Sequence, residues 1–150
     1  MKPACNFVIR VYGLIINEKN EVLLSDEFRM EMKMTKFPGG GLIYGEGTID
    51  CLRREFKEEC HGQEIENIRH FYTTDYFQEA LFFEKHQLIS IYYLADLKKP
   101  MCFQVLEHPF DFEEMKDGNQ SFRWLNVKEA DAGILTFPVD KLVLEKLKKL

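Results

Sequence analysis

The chain has 150 residues, of which 45% are hydrophobic and 30% charged, and its formal net charge is −5 at pH 7. This composition excludes a disordered chain, and the acidic balance argues against a protein that binds nucleic-acid polymers. The length suits one hydrophobic core, so we expect a single domain over residues 1–150. No apolar run is long enough to cross a membrane and no signal-peptide pattern is visible, so we expect a cytoplasmic protein without a membrane partner.

The N-terminal part of the chain predicts two strands joined by a hairpin at residues 18–21. Residues 6–17, NFVIRVYGLIIN, are rich in β-branched and aromatic side chains, NEKNE is typical of a polar turn, and VLLS resumes the apolar pattern. Residues 26–36 alternate charged residues with methionine, and we expect a loop or a short irregular segment there.

Glycine is concentrated in residues 37–47, FPGGGLIYGEG. Glycine loses more conformational entropy on folding than any other residue, so five glycines in one segment require a geometric reason. A backbone without side chains can approach a ligand closely and offer it amide or carbonyl groups. The segment is therefore a candidate part of a binding site.

The segment that follows, TIDCLRREFKEEC, gives the clearest helix prediction. Thr48 is a suitable N-cap and Gly62 suits the C-terminal cap. The apolar residues recur at helical spacing and form one stripe: Ile49, Leu52, Phe56 and Cys60.

Further strands and a second helix complete the predicted fold. Residues 64–78, 86–97 and 121–127 are predicted strands, and residues 140–150 form an amphipathic helix. Residues 86–97 are apolar on both alternating faces, which indicates a central strand covered on two sides. We therefore expect an α/β fold in which a sheet lies between helices.

The cysteines are expected to be reduced and structural. Cys5, Cys51, Cys60 and Cys102 include no C-x-x-C pair and no histidine at zinc-finger spacing. Free cysteines in such positions usually act as small hydrophobic residues.

Three glutamates cluster on the predicted helix. Glu55, Glu58 and Glu59 are spaced i, i+3 and i+4, so their side chains share one face, next to the apolar stripe. A solvated Glu-rich surface is one interpretation of this pattern. The other is a site for Mg²⁺ or Mn²⁺, which prefer carboxylate oxygens and would relieve the repulsion between the like charges. The preceding glycine segment favours a site for a metal ion and a diphosphate.

The stretch GLIYGEGTIDCLRREFKEECHG resembles the Nudix box, G-x5-E-x7-R-E-U-x-E-E-x-G-U, where U is apolar. The final Gly-U pair departs from the pattern, since His61 stands where the glycine belongs and Gly62 comes one residue late. This shift either extends the helix slightly or requires His61 to adopt positive φ. We expect activity to survive it. The matching positions are Gly40, Glu46, Arg54, Glu55, Phe56, Glu58 and Glu59.

The resemblance implies a Nudix-type α/β/α sandwich, with a mixed β-sheet between helices, that hydrolyses nucleoside diphosphates linked to another moiety with Mg²⁺ or Mn²⁺. It implies that Glu58 and Glu59 are the principal metal ligands and that Glu55 is a further ligand or the base that activates water. The roles of three further residues follow from the same resemblance: the Gly40 carbonyl joins the metal shell, Arg54 orients the glutamates, and Glu46 is the ion-pair partner of Arg54.

Other site residues are assigned less directly. Many Nudix proteins take a further glutamate from a loop before a tryptophan, and the loop before Trp124 offers Glu113, Glu114 and Asp117, each of which can equally be a solvated loop residue. We expect Arg10, Gly39 and Glu114 to contact the substrate, although Arg10 can also be a strand residue whose charged head reaches solvent.

The sequence leaves two functions open. One is a Nudix hydrolase acting on ADP-ribose, a nucleotide sugar or a nucleoside triphosphate. The other is a Nudix-like module that binds a nucleotide derivative without cleaving it. A homodimer is possible in either case, since dimers are common in the family.

Overall fold

The computed structural model describes residues 6–150, so Cys5 lies outside the described residues. This part of the chain forms seven strands and two α-helices. Four strands come before the first helix and three lie between the two helices in sequence. A 3₁₀ turn over Ala132–Ile134 lies just before the second helix. The elements are β1 (Asn6–Ile15), β2 (Glu21–Arg29), β3 (Met32–Lys36), β4 (Gly39–Gly41), α1 (Thr48–Glu59), β5 (Ile65–Thr73), β6 (His86–Leu97), β7 (Gln120–Asn126) and α2 (Pro138–Lys148).

The strands form two sheets. The first has the order β4-β1-β6-β5 and is mixed, because β1 and β6 are parallel while the outer pairs are antiparallel. The second has the order β3-β2-β7 and is antiparallel throughout. The turn predicted at residues 18–21 is present, but β1 and β2 do not form a continuous hairpin, because they enter different sheets and are joined at the turn by the isolated bridge between Ile16 and Val22. The predicted strand at residues 86–97 is β6, and it lies between β1 and β5 as its two apolar faces indicated.

The two helices cover opposite faces of the strands. Alternate residues of β1 divide between two hydrophobic clusters, because successive side chains of a strand point to opposite faces. Val11 packs in the cluster that contains Phe56 of α1, and Leu14 packs in the cluster that contains Leu144 of α2. The α/β/α sandwich expected from the sequence is therefore confirmed.

The sequence prediction was wrong over residues 26–36. The strand β2 continues to Arg29, and after a tight turn β3 returns antiparallel to it. Met30 and Glu31 make this turn with φ angles of 50° and 60°. The alternation of charged residues with methionine was thus a strand pattern.

The ends of α1 also differ in detail from the prediction. Gly47 is the N-cap and Thr48 is the first helical residue. At the other end, His61 adopts a φ of 51° and Gly62 a φ of 83°, and the Gly62 N–H donates to the Lys57 carbonyl. Of the two alternatives for the displaced glycine, the structure has positive φ at His61.

Cys51 and Cys60 are buried and unbridged in the α1 cluster, while Cys102 is exposed. Within residues 6–150 no helix has the length and apolar character needed to cross a membrane.

Candidate active site

The glycine segment is built into the sheet as its edge strand. In β4, Gly39 and Gly40 pair with Tyr12 and Val11 of β1. Gly39 has a φ of 148°, and a Cβ there would lie 2.1 Å from the Val11 carbonyl oxygen. Only glycine fits this position.

Gly40 lies directly beneath the acidic face of α1. A Cβ on Gly40 would come 2.4 Å from the Glu55 carboxyl carbon, so the bare backbone leaves the space that this carboxylate occupies. The helix and the glycine strand therefore share one surface, as expected for a combined site.

Arg54 holds together the parts of the box that surround it. Its guanidinium donates to Glu46 Oε1 at 2.7 Å and Oε2 at 3.0 Å, and to the Gly41 carbonyl at 3.0 Å. It also donates to Glu55 Oε1 at 3.0 Å and Glu58 Oε2 at 3.2 Å. Hydrogen bonding to Arg54 lowers the pKa of Glu46 to about 2. Arg54 thus fixes the glycine segment and two helix carboxylates in one arrangement.

A cavity of about 450 Å³ opens beside this arrangement. The helix supplies Glu55 and Glu59 to its wall, and β4 supplies all three of its glycines. Arg10 also lines it, and the Arg10 Nε donates to the Tyr12 hydroxyl at 2.7 Å. The cavity therefore places carboxylates, glycine backbone and an arginine around one space large enough for a nucleotide-sized ligand.

Glu59 lies in an unusual electrostatic environment. Burial raises its pKa to about 7, the negative charges of Glu27 and Glu55 act in the same direction, and Lys36 acts against them. A carboxylate in this position gains from a nearby cation, since its charged form is poorly solvated and close to like charges.

A second buried charge cluster lies under the glycines. Lys36 Nζ contacts Glu27 Oε2 at 3.0 Å and the Gly39 carbonyl at 3.1 Å, and its side chain is 5% exposed. Burial opposes the charged form of Glu27, but Lys36, Ser25 and Arg29 outweigh it and lower the pKa of this carboxyl. Both Glu27 and Lys36 line the cavity.

The end of the cavity near α2 is largely aromatic. The rings of Tyr12 and Tyr92 stack with their centroids 5.1 Å apart, and Phe82 packs edge-on against Phe137. Asp140, the acidic residue of the first turn of α2, is buried here and accepts a hydrogen bond of 2.5 Å from the Tyr92 hydroxyl on Oδ1. Its Oδ2 has no hydrogen-bond partner among the described residues, and burial raises the pKa of Asp140 to about 6.

The predicted site residues are only partly gathered in the cavity. Glu58 and Glu46 contact Arg54 outside the cavity wall, and the Glu58 side chain is 59% exposed. Glu114 is exposed in the loop before β7 and does not line the cavity. Asp117 in the same loop accepts a hydrogen bond from the Met30 amide, so it holds the β2–β3 turn.

The lining residues that reasoning from the sequence missed include Tyr12, Glu27, Lys36 and Asp140. Glu27 and Lys36 belong to the segment that was interpreted as a loop. A strand interpretation would have placed both side chains on one face of the sheet. With a two-residue turn between β2 and β3, Glu27 and Lys36 are offset by two residues in the antiparallel pairing, and residues two apart point to the same face.

The donor set fits a hard divalent cation. Carboxylate and carbonyl oxygens are available from Glu55, Glu59 and Gly40, and the unfavourable charge of Glu59 would be relieved by an ion. Within residues 6–150, no three His, Cys, Asp or Glu side chains are already grouped for metal coordination. Glu58 would have to leave Arg54 to join the other two.

Comparison with known proteins finds a matching family model and solved structures with the same fold. The family model of the NUDIX domain matches residues 6–146. No curated protein sequence matches the chain.

Several solved structures share the fold at low sequence identity. A structure reported with MutT from Aliivibrio salmonicida and Vibrio cholerae has a TM-score of 0.62 at 20% identity, over 96% of this chain and 98% of that one. A NUDIX hydrolase from Nitrosomonas europaea has a TM-score of 0.68 at 16% identity, over 96% and 89%. A MutT protein from Methanosarcina mazei has a TM-score of 0.61 at 18% identity, over 99% and 97%.

Proposed function

Because the chain belongs to the Nudix family, we propose that it is a pyrophosphohydrolase that uses Mg²⁺ or Mn²⁺ to cleave a diphosphate linkage. The substrate class proposed is a nucleoside diphosphate joined to another moiety, such as ADP-ribose, a nucleotide sugar or a nucleoside triphosphate. The observation that carries the proposal is the position of Glu55 and Glu59 beside the bare backbone of Gly40 in one cavity.

The metal would be held by the carboxylates of Glu55, Glu58 and Glu59 and by the Gly40 carbonyl. Bound Mg²⁺ or Mn²⁺ supplies positive charge that neutralises the diphosphate and favours attack by water at phosphorus. The net charge of −5 makes such a cation the natural way for this protein to accept a polyanion.

The protein's own residues orient the reactants. Arg54 donates to Glu55 Oε1 and leaves Oε2 free either to join the metal ligands or to accept a proton from the attacking water. Arg10 directs its guanidinium into the cavity wall, with Nε engaged by Tyr12 and the remaining donors available for phosphate oxygens. Gly39 lets β4 lie close against Val11 and Tyr12 of β1, with its backbone in the cavity wall.

The test is product formation from a panel of ADP-ribose, nucleotide sugars, dinucleotides and nucleoside triphosphates, with Mg²⁺, with Mn²⁺ and with chelator. Metal-dependent release of a nucleoside mono- or diphosphate from one class supports the proposal and identifies the substrate. Tight binding with no cleavage across the panel would instead favour a module that only binds the nucleotide derivative. The cytoplasmic location, the single domain and the homodimer stay predictions.

A further inference from the structure

A chain of polar contacts runs through the protein interior from the acidic helix to the glycine strand. It starts at Gln120, the first residue of β7, whose Nε2 lies 3.3 Å from Glu59 Oε2 and 3.3 Å from Glu27 Oε2. The same nitrogen donates to Ser25 Oγ at 2.7 Å. Gln120 therefore joins a helix carboxylate to the second sheet.

The chain continues from Glu27 to the glycines. Glu27 Oε2 contacts Lys36 Nζ at 3.0 Å, and Lys36 donates to the Gly39 carbonyl at 3.1 Å. We refer to Gln120, Glu27 and Lys36 as the buried bridge. Its two ends touch α1 and β4, which form the acidic wall and the glycine wall of the cavity.

Stability alone does not explain this arrangement. The Glu27 and Lys36 side chains are 2% and 5% exposed, so both charges have been taken out of water. A buried ion pair repays its desolvation poorly, and apolar residues of similar volume often give an equally stable protein. The bridge is therefore expected to contribute something that apolar packing does not, such as a fixed direction for the groups at its ends.

On the basis of the proposed function, we infer that Gln120, Glu27 and Lys36 are positioning residues that hold Glu59 and the Gly39–Gly40 peptide at a fixed separation for metal binding. Gln120 fixes the Glu59 carboxylate from the second sheet. Lys36 fixes the Gly39 carbonyl, which belongs to the peptide directly before the one that carries the Gly40 carbonyl. Residues that orient metal ligands typically change metal affinity when they are replaced, although they touch no metal.

The residue before Glu27 in β2 offers a matched control for the buried bridge. Asp26 pairs with Arg123 at 2.7 Å and is fully buried, and it also accepts a hydrogen bond from Thr35. This pair resembles Glu27–Lys36 in burial and in its position between strands, but neither Asp26 nor Arg123 lines the cavity.

The experiment compares two double variants with the parent protein. Glu27→Gln with Lys36→Met removes both charges of the bridge, and Asp26→Asn with Arg123→Met removes both charges of the control pair. Mn²⁺ binding is measured without substrate, from the electron paramagnetic resonance signal of the free ion. Thermal unfolding without metal, and kcat and KM on the best substrate of the panel, are measured in parallel.

We expect the bridge variant to bind Mn²⁺ about tenfold more weakly or worse and to lose kcat with little change in KM. The control variant is expected to lose thermal stability to a similar degree while keeping its Mn²⁺ affinity within about twofold. A Gln120→Met variant removes the hydrogen bond to Glu59 while Glu27 keeps its ion pair with Lys36, so it gives the same test if the bridge variant does not fold.

Mn²⁺ affinities equal to the parent in both the bridge variant and Gln120→Met would overturn the inference and leave the proposed function intact. An equal loss of affinity in the control variant would also overturn it, because general loosening would then explain the result. A parent protein that neither binds Mn²⁺ nor cleaves any substrate would contradict the proposed function, and the inference with it.

Discussion

The backbone of Gly40 and the carboxylate of Glu55 occupy adjoining space with no room for a methyl group between them. A Cβ at Gly40 would lie 2.4 Å from both the Glu55 carboxyl carbon and Oε1. The glycine strand and the acidic helix are thus fitted to each other at the centre of the candidate site.

This fit predicts the effect of Gly40→Ala. The group in the way is the end of a flexible side chain, so Glu55 can turn aside and the protein should lose only about 1 kcal/mol of stability. Turnover should fall roughly 100-fold, because the carboxylate no longer has its position in the site. Gly41→Ala is the control, since its Cβ would meet only Arg10, at 3.9 Å. Equal turnover in the two variants would show that the Gly40–Glu55 fit does not matter for activity.

Glu58→Gln separates catalysis from folding. The Glu58 side chain is 59% exposed and contacts Arg54 at 3.2 Å, so loss of this ion pair should change the free energy of unfolding by less than about 1 kcal/mol. Removing one of three clustered negative charges should by itself raise the free energy of unfolding slightly. Turnover should be lost, because one of the proposed metal ligands is gone. The free energy of unfolding in denaturant and the product formed with Mg²⁺ check both parts. A variant that keeps full activity would exclude Glu58 from the metal site.

His61→Gly should stabilise the protein. His61 has a φ of 51°, in the position after the helix C-cap that glycine usually occupies. Glycine adopts this left-handed conformation without strain, so the free energy of unfolding should rise by about 1 kcal/mol. Turnover should stay the same, because the glutamates lie upstream of this position. Chemical denaturation and steady-state kinetics are the measurements. A several-fold rise in turnover would show that the displaced box glycine limits activity.

Asp140 predicts a specific dependence of stability on pH. Its pKa is raised from 3.8 to about 6 by burial, and Tyr92, Lys36 and Arg10 only partly offset this. Between these two values the folded protein binds more protons at this group than the unfolded chain, so its contribution to stability falls as the pH rises. Asp140→Asn removes the titration and still accepts the Tyr92 hydrogen bond.

The stability of Asp140→Asn relative to the parent should therefore rise by roughly 2 kcal/mol between pH 4 and pH 7. Denaturant unfolding of both proteins at several pH values measures this difference, and the other titrating groups are common to both proteins. Parallel stability profiles would mean that Asp140 does not titrate between its unfolded and folded pKa values as proposed.

The helix and its carboxylates could be predicted because their signals are local. Glu55, Glu58 and Glu59 are spaced to share a helix face, and the glycines adjoin them in sequence. The central strand β6 was equally clear from its two apolar faces. Each of these features is determined by residues that are close together in the sequence.

The rest of the site depends on pairs that are distant in sequence. Asp26 pairs with Arg123, 97 residues away, so its burial has no local signal. Glu27 and Lys36 fell in the segment expected to be a loop or a short irregular segment. Their burial depends on an ion pair between β2 and β3, so it was not visible once the strands were missed. Asp140 is in the first turn of α2, where an acidic residue is normally exposed and favoured by the helix dipole. Its burial against Tyr92 is set by packing between distant elements.

The most direct test of the account is turnover of the best substrate by protein stripped of metal with chelator, before and after Mg²⁺ is added back. The Glu58→Gln variant is measured beside the parent. We predict no turnover without metal, recovery in the parent on addition of Mg²⁺, and no recovery in the variant. Turnover that persists in chelator, or that returns fully in the variant, would contradict the claim that the carboxylates of α1 and the glycine strand form a metal-dependent hydrolytic site.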